Sequence, residues 1–341
     1  MPVTIRHVAK QLNLSITTVS RALDGYPDVS ETTRQRVLQA AHELGYLPNR
    51  AARQLRRHRT DTIGYILPSA AARLSDPFFA EFISGLTSEA AQNGYDFLIS
   101  SAQAAGDAEQ QVYQRWVCER RVDGFVINRT RLSDWRIRHL SDNHVPFATL
   151  ERSLDPLDYP SIQVENKNSM SGLVEHLVAQ GFQRLAFVGG PENLTIHHDR
   201  FAGYRQGLAD HNLPFDPPLV TQADLTSPGG YQAASRLLSI ANPPDAMICV
   251  NDETAFGVLH AAHEAHLAVG EEFAVTGFDG VQDSDYSQPP LTTVDQPVPE
   301  IAHLLIHMLL AEINGDPLPE QHVVIQPVLR FRHSSIKGGQ A

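Results

Sequence analysis

Polar side chains follow several apolar runs of this 341-residue chain, at the points where strands of a sheet would end. The set combines amides, carboxylates and a guanidinium group at Asn128, Arg129, Glu151, Asn251, Asp252 and Asp279, and Arg200 opens a helix downstream of Gly189-Gly190. Because the carboxyl ends of parallel strands meet at one edge of a sheet, these groups can converge on one cleft. There they would offer paired donors and acceptors to vicinal hydroxyls. Any one of them alone is equally well explained as a helix cap or a loop hydrogen bond.

A second set of side chains lies near the amino terminus and suits contact with DNA. Ile16, Thr17, Ser20 and Arg21 are predicted to face outward on one short helix, with Val19 turned inward. An arginine can contact guanine or phosphate, the hydroxyls can do either more weakly, and an isoleucine can touch a thymine methyl group. The alternative is an ordinary capped helical corner.

Three short helices are predicted to position that set. Apolar residues recur at helical spacing in three blocks of the first fifty residues. Thr4, Ser15 and Ser30 are suitable N-caps for them. Only Asn13 and Leu14 separate the first helix from the cap of the second, so the pair must turn sharply, as in a helix-turn-helix.

The charge of the chain is divided unevenly. Residues 1–60 hold ten Lys and Arg against four Asp and Glu, a balance of +6, although the whole chain carries −12. The remainder therefore carries −18. A basic module joined to an acidic body is expected when one segment meets a polyanion; a basic solvated face is the simpler alternative.

The acidic body alternates strand-like and helical runs from Asp61 onward, and the alternation restarts after the proline-rich stretch 155–161. This pattern predicts an α/β fold of two lobes, with parallel sheets flanked by helices and a cleft between them. Phe78 and Phe79, at the start of the first body helix, could pack against the apolar face of a ring.

An arginine-rich segment connects the two parts. Residues 50–57 contain four arginines and one protruding leucine, Leu55, with too little apolar surface to fold alone. A leucine flanked by arginines suits a wedge in a minor groove; a charged linker is the alternative.

Four stretches of sequence, 4–10, 18–23, 29–34 and 44–49, resemble the lactose-repressor (LacI/GalR) family, and the similarity covers essentially the whole chain. The resemblance implies a helix-turn-helix head, a hinge helix whose leucine matches Leu55, and a periplasmic-binding-protein-like core that closes on a small effector. It further implies that the sugar-binding members' arginine, Asn-Asp pair and turn aspartate match Arg200, Asn251-Asp252 and Asp279.

The expected organisation follows from the resemblance and the patterns together. We predict a DNA-binding domain at 1–48, a hinge at 49–60, a first lobe at 61–161 plus 291–321, and a second lobe at 162–290 plus 322–335. The residues expected to contact DNA are Thr4, Ser15, Ile16, Thr17, Thr18, Ser20, Arg21, Asn49, Arg50, Ala52 and Leu55. The residues expected to bind the effector are Phe78, Phe79, Asn128, Arg129, Glu151, Arg200, Asn251 and Asp279.

The expected function is an allosteric transcriptional regulator, most simply a repressor, that binds a palindromic operator as a homodimer and responds to a sugar or glycoside. Departures from the family pattern at Asp76, Glu151 and Gly280 leave the effector's identity open. A nucleobase or another non-sugar effector is one alternative. A solute-binding or sugar-processing protein with an incidental basic head is the other.

Other chemistries lack their motifs. The two cysteines are isolated, the Gly189-Gly190 pair lacks the rest of a nucleotide-binding fingerprint, and no nucleophile elbow occurs. We expect no metal, although His260, His263 and His266 repeat on one side of a helix and His197-His198-Asp199 cluster. We likewise expect no cofactor and no enzyme activity. We also expect no membrane partner and a cytoplasmic location, because neither a membrane span nor a signal peptide is recognisable.

Overall fold

The computed structural model describes residues 3–46, 59–67, 76–102 and 107–337. The chain forms two compact units, residues 1–60 and residues 61–341, called here the head and the core. None of the helices in these described ranges is long and apolar enough to cross a membrane. Asn49, Arg50, Ala52 and Leu55, which were predicted to contact DNA, lie outside the described residues.

The head contains the three predicted helices, α1 (Ile5–Leu12), α2 (Ile16–Leu23) and α3 (Glu31–Glu43). Ser15 Oγ accepts a hydrogen bond from the backbone N–H of Thr18 (2.9 Å), and Ser30 Oγ accepts one from that of Thr33 (3.3 Å). Asn13 ends α1 in the left-handed conformation (φ 52°), which asparagine tolerates better than most residues. These local bonds fix the sharp turn between α1 and α2.

Small and branched side chains from all three helices form the core of the head. Its fully buried members are Val8, Ala9, Val19, Ala22, Val29, Val37, Ala40 and Ala41. Small residues allow short helices to approach closely, and burial of the shared apolar surface stabilises helices that would be marginal alone. The head is therefore the predicted three-helix unit.

The core alternates strands and helices throughout. Its strands are β1 (Thr62–Leu67), β2 (Asp96–Ser101), β3 (Gly124–Ile127), β4 (Phe147–Leu150), β5 (Ser161–Val164), β6 (Leu185–Gly189), β7 (Val220–Gln222), β8 (Ala246–Cys249), β9 (Ala274–Thr276), β10 (Thr293–Asp295), β11 (His322–Ile325) and β12 (Val328–Arg330). Its helices are α4 (Pro77–Gln92), α5 (Ala108–Cys118), α6 (Trp135–Asp142), α7 (Asn166–Ala179), α8 (Thr195–Asp210), α9 (Ser227–Leu238), α10 (Asp252–Glu264), α11 (Asp283–Tyr286) and α12 (Val298–Asn314).

Two parallel sheets define the two lobes. The first has the order β11-β5-β4-β3-β1-β2, and the second has the order β7-β6-β8-β9. Every pairing within them is parallel, while β10 and β12 form a separate antiparallel ribbon. The inner strands β3, β6 and β8 are buried, largely apolar runs, as expected of sheets covered by helices on both faces. This architecture confirms the predicted fold class.

The lobe boundaries differ from the predicted ones at two places. The prediction ended the first-lobe segment at 161 and assigned residues 322–335 to the second lobe. In the structure β5 pairs with β4 on one side and β11 on the other, so both 161–164 and 322–325 belong to the first sheet. The chain turns to the second lobe only at α7. These strands have four residues each, and only their long-range pairing reveals their position.

Candidate functional site

The outward face of α2 carries the side chains proposed to reach DNA. Ile16 is 45% exposed, and Thr17 is also exposed. Thr18 is half-buried and bonded to the Ser15 hydroxyl (2.8 Å between the two oxygens), so this pair is engaged in capping the helix. Thr4 is exposed, and its backbone N–H donates to the His7 ring (3.0 Å).

The prediction that Ser20 faces outward is wrong. The side chain is only 5% exposed, and its hydroxyl donates to Asp24 Oδ2 at 3.4 Å. Ser20 directly follows Val19 and precedes Ala22, both buried, so the inward face of α2 is wider than the apolar pattern alone indicates. Ser20 therefore packs towards the core of the head, and its contact with DNA stays a prediction.

Arg21 is the cation on the exposed face of α2, and it is held by neighbours. Its NH2 group lies 2.7 Å from Asp28 Oδ2, its Nε donates to Asp28 Oδ1 at 3.1 Å, and its guanidinium lies 4.8 Å from the centre of the Tyr26 ring. About half of each charged side chain is exposed, so such a pair contributes little to stability and can exchange for a phosphate or a base.

All eight side chains predicted to bind the effector surround one cavity between the lobes of the core. The empty space among these side chains, including the open solvent at the mouth of the cavity, is about 450 Å³. The first lobe contributes Phe78 and Phe79 from α4, Asn128 and Arg129 after β3, and Glu151 after β4; the second contributes Arg200 from α8, Asn251 after β8 and Asp279 after β9. The carboxyl ends of the strands bring these distant residues together, as the topology requires.

Arg200 lies at the centre of the polar network and is only 3% exposed. Its Nε donates to Asn166 Oδ1 (2.8 Å) and its NH1 to the carbonyl oxygen of Val250 (2.5 Å), while NH1 lies 3.7 Å from Asp279 Oδ1. The guanidinium also lies over the Phe278 ring, 3.5 Å from its centre. A planar cation with one face on an aromatic ring and its edge hydrogen-bonded is well preorganised.

Glu151 faces the cavity with one free oxygen. Its Oε1 accepts from Asn166 Nδ2 (2.9 Å) and from the backbone N–H of Val164 (3.3 Å), whereas Oε2 is buried and has no partner among the described residues. Burial raises the pKa of Glu151 to about 7, because the bond from Asn166 and the charge of Arg200 only partly offset desolvation. The left-handed backbone of Glu151 (φ 68°) turns the chain at the end of β4.

A second ion pair lies on the first-lobe side of the cavity. Arg129 NH2 is 3.5 Å from Asp76 Oδ2, and its guanidinium stands 4.6 Å from the centre of the Phe79 ring. Burial raises the pKa of Asp76, and Arg129 opposes that shift. The neighbouring Asn128 uses its oxygen to accept from the Arg129 backbone N–H, and its amide group also interacts with the buried Tyr65 hydroxyl.

The second-lobe carboxylate is Asp279, which adopts φ 127°, an unfavourable conformation for a side-chain-bearing residue. Gln296 Nε2 donates to Asp279 Oδ1 at 2.8 Å. Burial raises the pKa of Asp279 well above its ordinary range, against the opposing charge of Arg200. Asn251 caps α10 by accepting from the Thr254 backbone N–H (3.1 Å), so its amide borders the cavity while serving the helix.

Asn251 and Asp252 have different roles: Asn251 borders the cavity, whereas Asp252 stabilises a turn. Asp252 is buried away from the cavity, where its Oδ2 accepts from the backbone N–H groups of Gly280 (2.9 Å) and Val281 (3.0 Å). It thereby fixes the turn that carries Asp279.

Sequence reasoning did not assign several residues of the site. The additional lining residues are Asp76, Leu150, Ile196, Leu225 and Gln296. Gln296 follows a strand and could have been found by the same strand-end rule; Ile196 lies one turn before Arg200 on α8. Asn166, which joins Glu151 to Arg200, carries no distinguishing signal, because an asparagine at the start of a helix is ordinarily a cap.

A helix-turn-helix head followed by a two-lobed α/β core defines a class of DNA-binding transcriptional regulators. Residues 4–49 match the model of the bacterial regulatory proteins of the lacI family, and residues 174–335 match a periplasmic binding protein-like domain. The HTH-type transcriptional regulator AglR of Rhizobium meliloti (strain 1021) is 34% identical over 328 residues, which cover 95% of this chain and 92% of AglR. The chain therefore belongs to the LacI family.

Solved structures agree with this assignment over the whole chain. The lac repressor dimer bound to operator and the anti-inducer ONPF has a TM-score of 0.84 at 29% identity, covering 98% of this chain and 100% of that one. The complex of the transcriptional regulator CelR with cellobiose has a TM-score of 0.76 at 26% identity, covering 97% and 99%. The similarity includes both the head and the core.

Proposed function

We propose that this regulator is a repressor that binds a palindromic operator as a homodimer and changes its operator affinity when a sugar or glycoside binds between its lobes. The observation that carries the proposal is Glu151 Oε2, a buried oxygen of the cavity lining that has no partner among the described residues. A buried polar atom without a partner is costly, so a ligand that supplies a hydrogen bond to this carboxyl group gains from the site. A sugar hydroxyl can do so.

The rest of the lining favours an uncharged, polyhydroxylated ring. Two arginines stand among three carboxyl groups, those of Asp76, Glu151 and Asp279. Burial raises the pKa of each of the three carboxyl groups, and the two guanidinium groups oppose their negative charge. Phe78 and Phe79 supply an apolar face on one side, as in sites that receive the C–H face of a sugar ring. The CelR complex with cellobiose is a relative with a ligand of this class.

The allosteric step follows from the network that crosses the cavity. Glu151 belongs to the first lobe, Arg200 to the second, and Asn166 bonds to both. A ligand that takes over a hydrogen bond from either partner alters the preferred relation of the lobes, and differential binding to two arrangements is the thermodynamic requirement for control. The proposed Leu55 wedge would transmit that change to the operator.

A thermal-shift screen of the full chain tests the effector class. Sugars and glycosides are compared with nucleosides and purines, and we expect a sugar to raise the melting temperature because it binds only the folded core. Asn128→Ala should remove the shift, whereas Asn242→Ala on the surface should retain it. A shift with nucleosides alone would assign the site to the non-sugar alternative.

Salt-dependent binding of the full chain to duplex DNA tests the other half of the proposal. Each phosphate contact releases counterions, so affinity should fall steeply as salt rises. A solute-binding protein with an incidental basic head would show neither binding nor that slope.

A further inference from the structure

Three potential metal ligands meet on the surface of the first lobe, outside the site described above. They are Glu89 on α4 and His303 and His307 on α12. Glu89 Oε2 lies 3.0 Å from His303 Nδ1 and 3.8 Å from His307 Nε2, and the centres of the two imidazole rings are 4.2 Å apart. We propose that these residues bind one divalent transition-metal ion of the zinc class.

The spacing of the donor atoms fits such an ion. Histidines at positions i and i+4 share one helix face and can bind one metal, as in helical zinc motifs. Metal–ligand bonds of about 2.0–2.2 Å place tetrahedral donors roughly 3.4 Å from one another. The separations of 3.0 and 3.8 Å from the carboxylate oxygen lie on either side of that value, and all three donor atoms lie within 4.8 Å of one another.

The chemistry of the donors selects the kind of ion. Two imidazoles and one carboxylate suit zinc, nickel, cobalt or copper, whereas magnesium and calcium prefer oxygen ligands throughout. The histidine side chains are about half exposed, at 52% and 49%. Water can therefore complete the coordination, and the ion can enter without any movement of the backbone.

Close packing of the two helices holds the ligands in place. Gly85 lies one turn before Glu89, and a Cβ added there would stand 2.7 Å from Ala302 Cβ. Ala302 and Ile306 are fully buried, and each directly precedes one of the histidines. The backbones are thus fixed by the first-lobe core, and only side-chain freedom is lost on binding.

A bound ion would crosslink α4 to α12 across 214 residues of sequence. Because metal binding to a preformed site stabilises the folded state, it raises the melting temperature by mass action. Without an ion, the same side chains are only a partly buried glutamate beside two half-exposed histidines, and such a pairing contributes little to stability.

Isothermal titration of the untagged full chain, cleared of metal with EDTA, tests the proposal with ZnCl₂ as the probe. We expect one site that His303→Ala or His307→Ala weakens about tenfold or more. The exposed His263→Ala on α10 is the matched control and should leave that site intact. MgCl₂ should give no binding at the same concentration.

A spectroscopic measurement distinguishes this site from loose binding by the other histidines. CoCl₂ should produce the visible absorption of a low-symmetry, nitrogen-ligated ion in the wild type and in His263→Ala, but not in His303→Ala/His307→Ala. Equal melting temperatures of all variants in EDTA would show that the substitutions do not disturb the fold. Zinc stoichiometry and cobalt absorption that survive the double substitution would overturn the proposal.

Discussion

The head and the core hold their functional side chains in opposite environments. On α2, Ile16 and Arg21 stand about half exposed, and Arg21 is paired with an equally exposed aspartate. In the cavity Arg200 and Glu151 are each 3% exposed and are joined through Asn166. An exposed ion pair contributes little free energy, because water solvates both charges. A buried charge is stable only while its protein partners replace the lost water, so removal of one partner is costly.

The division of net charge agrees with this contrast. The head carries +6, and the remaining chain carries −18. A positive surface can be used for phosphate contacts without any single residue being essential. The negative charge of the core would reduce non-specific attraction of DNA to surfaces other than the head.

The contrast is tested most strongly by Arg200→Ala. Removing a buried cation with several partners should weaken binding of the sugar found in the screen by about 100-fold, or roughly 3 kcal/mol, while operator binding without effector is unchanged. Calorimetry with that sugar and a DNA-binding assay measure the two quantities. The control is Arg205→Ala, which removes an exposed arginine from the same helix. If Arg200→Ala binds the sugar within twofold of wild type, the contrast between exposed and buried charges is wrong.

The second test concerns pH. With the pKa of Glu151 raised to about 7 in the folded protein, the folded state keeps a proton that the unfolded chain loses near its ordinary pKa of about 4.5. Stability contributed by this group therefore falls as pH rises between these values and stays low above them. Glu151→Gln cannot ionise, so it should be more stable than wild type at pH 8 by on the order of 2 kcal/mol and equal to it near pH 4.

Urea unfolding at the two pH values measures that difference. The exposed Glu320→Gln is the matched control and is expected to leave the stability unchanged at both. A Glu151→Gln variant whose advantage does not grow with pH would mean that the carboxyl group is not desolvated as the structure indicates.

The smallest expected effect belongs to the head. Arg21→Ala should weaken binding to a palindromic operator, selected by the wild-type protein from random duplexes, by about tenfold, or roughly 1.4 kcal/mol. Arg36→Ala on the exposed face of α3 removes the same charge from the same unit and should cost less. Equal losses of operator affinity in the two variants would show that Arg21 acts only through its charge. The head would then differ from the core even more clearly, since no single exposed arginine would be specific.

Prediction from sequence succeeded where structure depends on neighbours along the chain. Ser15 and Ser30 cap their helices as expected, because caps are local. The strand-end rule also predicted the meeting of Asn128, Arg129, Glu151, Asn251 and Asp279 at one cavity, although their role as effector ligands stays a prediction. Ser20 failed because burial on a small helix depends on what packs against it.

The amino-acid sequence by itself determined the two-part organisation, the helix-turn-helix, the alternating α/β core and the strand ends that border the cavity. Only the tertiary structure decided that β5 and β11 complete the first sheet, that Asn166 joins Glu151 to Arg200, and that Glu89 meets His303 and His307. Caps and periodicity act over a few residues, whereas sheet pairing, desolvation and clustering of side chains depend on contacts between residues far apart in the chain.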